Sequence, residues 1–565
     1  MENHHSKHKL VEQTQVGLPK AYHDNDDPKI KSLPLTFLDL PFTGPIYVRR
    51  QFFYNFPFST NHFYQNTLPT LKLSLSLTLQ RFFPLAGNLL CPPPPHKPFI
   101  QCTNEDTVTF TIIESASNFD HISSNDPKSV KDLDHLVPTL MDKATHDKSD
   151  DTIVSPLVAL QVTVFSNSGL CIAITYCHVM DDRCCGHFMK FWSSLCGIIN
   201  LEEIIDSTLL KKHYSLLPCF DREILKDPNE LEAVLLKDYF NERTLWKDKL
   251  VAQSQNGESI LEEDYVKTTI VFGREGIEAM KRFAMNKLKK SNGYKAPQYL
   301  STFMVICGFV WSSLIKTTRH DDNNEGGEEE EEEEEHFHFP ADCRNNNLLG
   351  YPIPITYFGN CITQCQTKLK RMELKGEDGF VNAVKVIEKG INDMKSSPFR
   401  GAENWKALFM KLFVLGNSAF HVMASHKLGV YETDFGFGRP KKVEMVHSSK
   451  AISLAESGHV EGGVEVGLVL KRVHYQRFVH CNTQGACCLN YVGGVKATWL
   501  DEVVPTRQHA GGVLSQHAGG VLTWRDLDGS DGEARRGRDE SARGGRADVA
   551  NMHWSTYAAR GGRAE

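Results

Sequence analysis

Two hydrophobic periods alternate along the first two hundred residues. In "TLPTLKLSLSLTLQRFFPL", residues 67–85, the leucines close one apolar face at helical spacing and Pro69 suits a first turn. A helix is predicted over residues 69–82. Pro84 and Gly87 interrupt the pattern after this helix, and "CPPPPHKP" predicts a stiff loop. "FIQCTNEDTVTFTIIES" predicts two strands about an Asn-Glu-Asp turn, and "LVALQVTVFSNSGLCIAITYCH" a hairpin turning at residues 166–169. His178 closes the second strand of that hairpin. From Arg183 the period changes: Cys184, Cys185, Phe188, Met189, Trp192, Leu195 and Cys196 recur at three and four, the pattern of a helix with a buried face. Asp181 or Asp182 stands at its N-cap position. His178 therefore lies at a strand-to-helix turn, where α/β proteins commonly present functional side chains.

The second half repeats the α/β theme after a connector over residues 205–235. "APQYLSTFMVICGFVWSSLIK" predicts a strongly apolar helix. Eight consecutive glutamates, residues 328–335, repel one another and predict a solvated loop over about residues 320–336. A calcium site there is disfavoured, because ordered coordination needs spaced ligands and turn residues. Past residue 480 the apolar period fades. "QHAGGVL" recurs at residues 508–514 and 516–522, and "ARGGRA" at 542–547 and 559–564. This composition predicts a disordered tail over residues 481–565. Arg-Gly segments can bind RNA, but nothing else in the sequence favours that use.

Composition narrows the class. The chain has 565 residues, 41% hydrophobic and 24% charged, as expected of a soluble globular protein with more than one domain. A net charge of -7 argues against a mainly nucleic-acid-binding role. The polar N-terminus lacks a signal-peptide core, and no apolar run reaches the ~18 residues of a membrane span. Fifteen cysteines without paired C-x-x-C spacing suggest reduced thiols in the cytoplasm rather than a zinc site.

His178 and Asp182 make H-x-x-x-D. Three readings fit these two residues alone. The histidine is a catalytic base; or it is a metal ligand completed by His187; or it is a hydrogen-bonded strand-end residue, with Asp182 capping the next helix. The spacing by itself is unspecific, and nothing nearby completes a metal site. Two further stretches change this: "YFGNC" at residues 357–361 and "DFGFG" at residues 434–438.

With H-x-x-x-D, Y-F-G-N-C and a D-F-G-W-G-like stretch in that order, the chain resembles the plant BAHD acyltransferases. "LQRFFPLAGNL", "ADCR" at residues 341–344 and "GGVEVGLVLKR" at residues 462–472 also look like the family. The resemblance covers roughly residues 10–478, and the Y-F-G-N-C form is similar to its flavonoid and anthocyanin glucoside branch. It implies two chloramphenicol-acetyltransferase-like α/β domains with a solvent channel between them. These would be residues 1–204 carrying H-x-x-x-D and residues 236–480 carrying the other two motifs. It implies a monomer without metal or permanently bound cofactor. The activity would be that of an acyltransferase moving groups other than amino-acyl groups. An acyl-CoA, malonyl-CoA foremost, would be the co-substrate, and a sugar hydroxyl of a phenolic glucoside the acceptor. Hydroxycinnamoyl-CoA is the alternative donor, and a folded, inactive ligand-binding relative the alternative function.

In this frame His178 is the general base. Histidine's ordinary pKa of about 6.5 lets a neutral imidazole take the proton of an attacking hydroxyl. The thioester is already activated, which fits the absence of a G-x-S-x-G elbow. The resemblance implies that Asp182 turns away from the channel and pairs with an arginine, for which Arg344 is the candidate. Asp434, Gly436 and Gly438 are expected to be architectural. Tyr357 and Asn360 are expected to shape the acceptor side or simply pack. Arg183 is a candidate partner for a malonyl carboxylate, or an exposed first-turn arginine. Lys281, Arg282 and Ser301 are candidates for the acyl-CoA; Lys287, Lys289 and Lys290 continue the basic run, which a solvated helix face explains equally. The chain departs from the family where Arg183 replaces the glycine after the motif aspartate, where the stretch to Phe188 is one residue short, and in Phe437 for tryptophan.

Overall fold

The structure, a computed structural model, describes residues 8–19, 30–44, 46–140, 144–147, 149–197, 217–253, 265–317, 333–344, 348–408, 419–447 and 451–483. The proposed tail beyond residue 483, residues 318–332 of the acidic stretch and residues 205–216 of the connector lie outside the described residues.

Two lobes each wrap helices about a sheet. In the first, six strands lie in the order His8–Gly17, Thr107–Ser115, Val158–Phe165, Gly169–Cys177, Tyr47–Asn55 and Lys442–Val446. The predicted hairpin forms in register, Val158 opposite Tyr176 and Phe165 opposite Gly169. Both its strands are buried throughout, so they read as continuous apolar runs rather than alternating ones. Helices Leu68–Arg81 and Asp182–Cys196 pack against one another, and the Trp192 indole donates to the Leu71 carbonyl at 3.2 Å. Leu75, Phe110, Leu160, Ile172 and Trp192 belong to this core. The two strands about the Asn-Glu-Asp turn form but do not pair. Phe99–Thr103 joins a separate five-stranded sheet, while Thr107–Ser115 joins the six-stranded one.

The second lobe has seven strands in the order Ile362–Lys370, Glu334–Asp342, Ala419–Val422, Ala451–Glu456, Val464–Lys471, Tyr265–Phe272 and Lys128–Ser129. The predicted apolar helix is Thr302–Thr317, which packs in its core with Gly379–Ser396 and Arg274–Lys290. The lobes exchange edge strands. Lys442–Val446 pairs with Tyr47–Asn55, and Lys128–Ser129 pairs with Tyr265–Phe272. A division into residues 1–204 and 236–480 is therefore crossed twice, each exchange covering a sheet edge that would otherwise stay open.

The expectation of a wholly solvated acidic loop is corrected at its end. Glu334 and Glu335 begin strand Glu334–Asp342. Successive strand residues face opposite ways. Glu334 meets Lys368 at the surface, 2.8 Å away, while Glu335 is fully buried against the Arg371 guanidinium. The buried arginine supplies the charge that lets a glutamate leave water.

Candidate active site

His178 follows directly on strand Gly169–Cys177. Its amide donates to the Ile46 carbonyl at 2.9 Å, and its own carbonyl accepts from Asn360 Nδ2 at 2.8 Å. The imidazole stacks on Phe42 with ring centroids 4.3 Å apart and planes 10° from parallel. Its Nδ1 is buried and has no hydrogen-bond partner among the described residues. His178 lines a cavity of about 360 Å³ whose walls come from both lobes, with Phe303, Phe339, Ile362, Met394 and Val422 supplying much of the apolar part.

The turn after His178 carries three charged residues, and each goes its own way. Asp181 caps helix Asp182–Cys196, its Oδ1 accepting from the Cys184 amide at 3.0 Å. Its Oδ2 accepts from Arg344 Nη1 at 2.7 Å, with both side chains buried. Burial alone would push this carboxyl up; the Arg344 guanidinium and the Cys184 amide more than offset that and hold it below the usual carboxylate range. Arg344 also donates to the carbonyls of Tyr357, at 3.0 Å, and Gly359, at 2.8 Å.

The expected Asp182–Arg344 pair is thus corrected: the partner is Asp181. Asp182 accepts instead from Arg50 Nη2 at 3.1 Å and from the Tyr176 hydroxyl. The physical reason is the residue missing from this turn. Two residues, not three, separate His178 from the aspartate that points at Arg344, and the helix then carries the next side chain to its other side. The H-x-x-x-D spacing in this chain comes from a second, adjacent aspartate.

Arg183 is no isolated surface arginine. Its Nε donates to Asp342 Oδ2, and Asp342 Oδ1 in turn accepts from Arg344 Nη1 at 3.1 Å. Arg183, Asp342 and Ser301 all line the cavity with His178. The Ser301 hydroxyl accepts from the Met304 amide at 3.2 Å where helix Thr302–Thr317 begins. Lys281 pairs with Glu278 at 2.8 Å. Burial, with the charges of Lys427 and Lys281, pushes the cavity-lining His426 down to about 4. Arg282 is exposed on the same helix as Lys281 and does not line the cavity.

Tyr357 and Asn360 are fully buried and do not line this cavity, so of the two expectations for them the packing one describes their place in the structure. The Tyr357 hydroxyl accepts from Arg222 Nη1 at 2.9 Å. The Asn360 amide donates to Asp39 Oδ1 at 2.7 Å, and its side chain reaches both Asp39 Oδ1, at 3.2 Å, and His178. Between them Gly359 has φ 114°, and a Cβ there would run into the Arg222 guanidinium, so this position requires glycine. Asp434 Oδ1 accepts from the amides of Gly436, at 2.8 Å, and Gly438, at 2.9 Å, folding its stretch into a tight turn that does not reach the cavity. Phe435 and Phe437 pack edge-on against Tyr54.

Sequence reasoning missed Phe42, Asp39, Arg50 and His426. Asp39 left one signal, a lone acid in the apolar stretch "FLDLPF". Among the described residues, no group of three or more histidine, cysteine or acidic side chains is placed to hold a metal ion. Half-buried His187 is held near 4, chiefly by burial and then by Arg183.

Residues 24–484 match the family described as Transferase family. The chain belongs to the plant BAHD transferase family. Coumaroyl-CoA:anthocyanidin 3-O-glucoside-6''-O-coumaroyltransferase 1 of Arabidopsis thaliana is 32% identical to this BAHD chain over 483 residues, covering 84% of the chain and 97% of that protein. Malonyl-coenzyme A:anthocyanin 3-O-glucoside-6''-O-malonyltransferase of Dahlia pinnata is 32% identical over 461 residues, covering 79% and 92%. The crystal structure of vinorine synthase superposes with a TM-score of 0.55 over 83% of this chain and 96% of that one; at 17% identity the likeness is one of fold, the two-lobed α/β architecture. The BAHD chain is an acyl-CoA-dependent acyltransferase. No helix among its described residues is long and apolar enough to cross a membrane.

Proposed function

We propose that this BAHD chain transfers a hydroxycinnamoyl group from CoA to a sugar hydroxyl of a phenolic glucoside, with His178 as the general base. The observation that carries the donor is the cavity beside His178. Its wall is rich in aromatic and aliphatic side chains, and the cations on it are committed or exposed. Arg183 is held by Asp342 and Arg344 by Asp181, while Lys427 stands exposed, where water screens a charge pair and leaves it worth little. A malonyl carboxylate needs a free cation to replace its water. A planar aromatic acyl chain needs apolar walls with few polar groups. The coumaroyltransferase relative of Arabidopsis thaliana is named for such a donor.

The chemistry needs little beyond position and one base. The acceptor hydroxyl sits against the imidazole, and Nε2 removes its proton as the oxygen attacks the thioester carbonyl. The tetrahedral adduct collapses, the C–S bond breaks, and the departing CoA thiolate takes the proton back from the imidazolium. No acyl-enzyme forms. Asp181 and Asp182 take no part in moving the proton, since each carboxylate is spent on an arginine. Ser301 on the wall and Lys281 near His426 are the residues we assign to contacts with CoA, Arg282 lying further out on the same helix.

Malonyl-CoA is the second reading, favoured by the placement of Arg183 on the cavity wall and by the malonyltransferase relative of Dahlia pinnata. Competition separates the two. Equal p-coumaroyl-CoA and malonyl-CoA are offered with cyanidin 3-glucoside, and mass spectrometry counts the products. A coumaroyl product in excess supports the proposal; a malonyl product in excess overturns the donor assignment.

A further inference from the structure

His178 lacks the group that usually orients a catalytic histidine. Where a carboxylate or carbonyl would receive Nδ1–H, the buried Nδ1 meets no acceptor among the described residues. The acids of the turn face Arg344 and Arg50 instead. What the ring does meet is Phe42, 4.3 Å away and nearly parallel.

We propose that Phe42 is a positioning residue for the acyl-transfer step. Its ring fixes the plane of the imidazole and its π face stabilises the imidazolium that forms when Nε2 takes the acceptor's proton. Asn360 holds Phe42 and His178 in register. A cation over an aromatic face is attracted by the ring quadrupole, more strongly where water is scarce. Phe42 is only 6% exposed, and although His178 is half-buried on the cavity wall its Nδ1 edge is closed off from solvent. The charge therefore appears where a polarisable face, rather than a carboxylate, is waiting.

The register between the two rings is built, not incidental. Phe42 ends a short turn, Leu40–Phe42, whose N-cap is Asp39. Asp39 is fully buried; its Oδ2 accepts from the Thr36 amide at 2.8 Å and its Oδ1 from the Asn360 amide at 2.7 Å. The same Asn360 side chain donates to Asp39 at 3.2 Å and to the His178 carbonyl at 2.8 Å. One asparagine from the second lobe thus ties the loop that carries Phe42 to the backbone that carries His178. This gives the asparagine of Y-F-G-N-C a task in catalysis without substrate contact.

The inference rests on His178 being the base, so the test carries His178→Ala alongside. Phe42→Leu, Phe42→Trp, a pentafluorophenylalanine at position 42, and Asn360→Ala are compared with the parent chain. p-Coumaroyl-CoA and malonyl-CoA are each offered with cyanidin 3-glucoside, and thermal melts report folding. Phe42→Leu is expected to lower kcat about tenfold with KM for both substrates unchanged within about twofold, the scale of one sheltered cation–π contact. Tryptophan should restore most of the loss. The pentafluoro ring keeps the shape, reverses the quadrupole and should lower kcat like leucine. Asn360→Ala should also lower kcat more than it raises KM. Wild-type kcat in the pentafluoro chain, or a loss in Phe42→Leu carried by KM, overturns the inference while the general-base reading stands. Full activity in His178→Ala, or no turnover with either donor, overturns both.

Discussion

Asp181, three residues after His178, is locked to Arg344 by a buried 2.7 Å ion pair. This contact joins the helix cap of one lobe to the end of strand Glu334–Asp342 in the other, and through Arg344 to the carbonyls of Tyr357 and Gly359. Breaking a buried pair leaves an uncompensated charge, at a cost of about 3–5 kcal/mol. Asp181→Ala and Arg344→Ala should each lose stability on that scale in urea unfolding. The double variant should lose clearly less than the sum of the two. Additive losses would mean that the pair is not the interlobe tie.

The same pair makes acid stability depend on Asp181. Its folded pKa lies below the unfolded value, so the stabilisation is complete above an unfolded pKa of about 3.9 and is lost as pH falls through the folded value. Asp181→Asn should be less stable than the parent near neutrality, with the difference narrowing below about pH 4. Melting temperatures taken across that range check this. A gap that stays constant to pH 2 would contradict it.

Donor choice should turn on Asp342, which holds Arg183 at the cavity wall. Asp342→Asn keeps an oxygen for Arg344 but removes the charge that neutralises Arg183. The ratio of malonyl to coumaroyl transfer should then rise by about tenfold, the worth of one charge-assisted hydrogen bond. An unchanged ratio in competition assays would take Arg183 out of donor selection.

Much of the fold is legible in the sequence. Helix Leu68–Arg81, the hairpin ending at Cys177 and helix Asp182–Cys196 follow from their periods, because each buries one continuous apolar surface. His178 stands out by its motif and by its place at a strand end. The hidden part consists of choices made by tertiary partners. Two adjacent aspartates are equivalent as letters, and only the positions of Arg50 and Arg344 separate them. The buried tasks of Asn360 and Asp39 depend on two loops more than three hundred residues apart in sequence. Strand Lys442–Val446 falls within residues 236–480, the expected second domain, yet it pairs in the sheet of the first.

The glutamate run shows how sharply one residue can change an environment. Glu335 is buried against Arg371, whereas Glu334 is solvated and paired with exposed Lys368. Glu335→Ala should cost about 3–5 kcal/mol, as for other broken buried pairs. Glu334→Ala should cost less than about 1 kcal/mol. Denaturant midpoints of the two variants decide it; similar losses would mean that Glu335 is not the strand's anchor.

The most direct test of the general-base assignment is the turnover of His178→Ala. With p-coumaroyl-CoA and cyanidin 3-glucoside at saturation, kcat should fall by about 10²–10⁴-fold, the usual worth of a positioned base. The melting temperature should fall only modestly, since the half-buried ring's Nδ1 makes no hydrogen bond among the described residues and the loss is that of its stack on Phe42. A folded His178→Ala chain that acylates the glucoside at the parent rate would contradict the assignment.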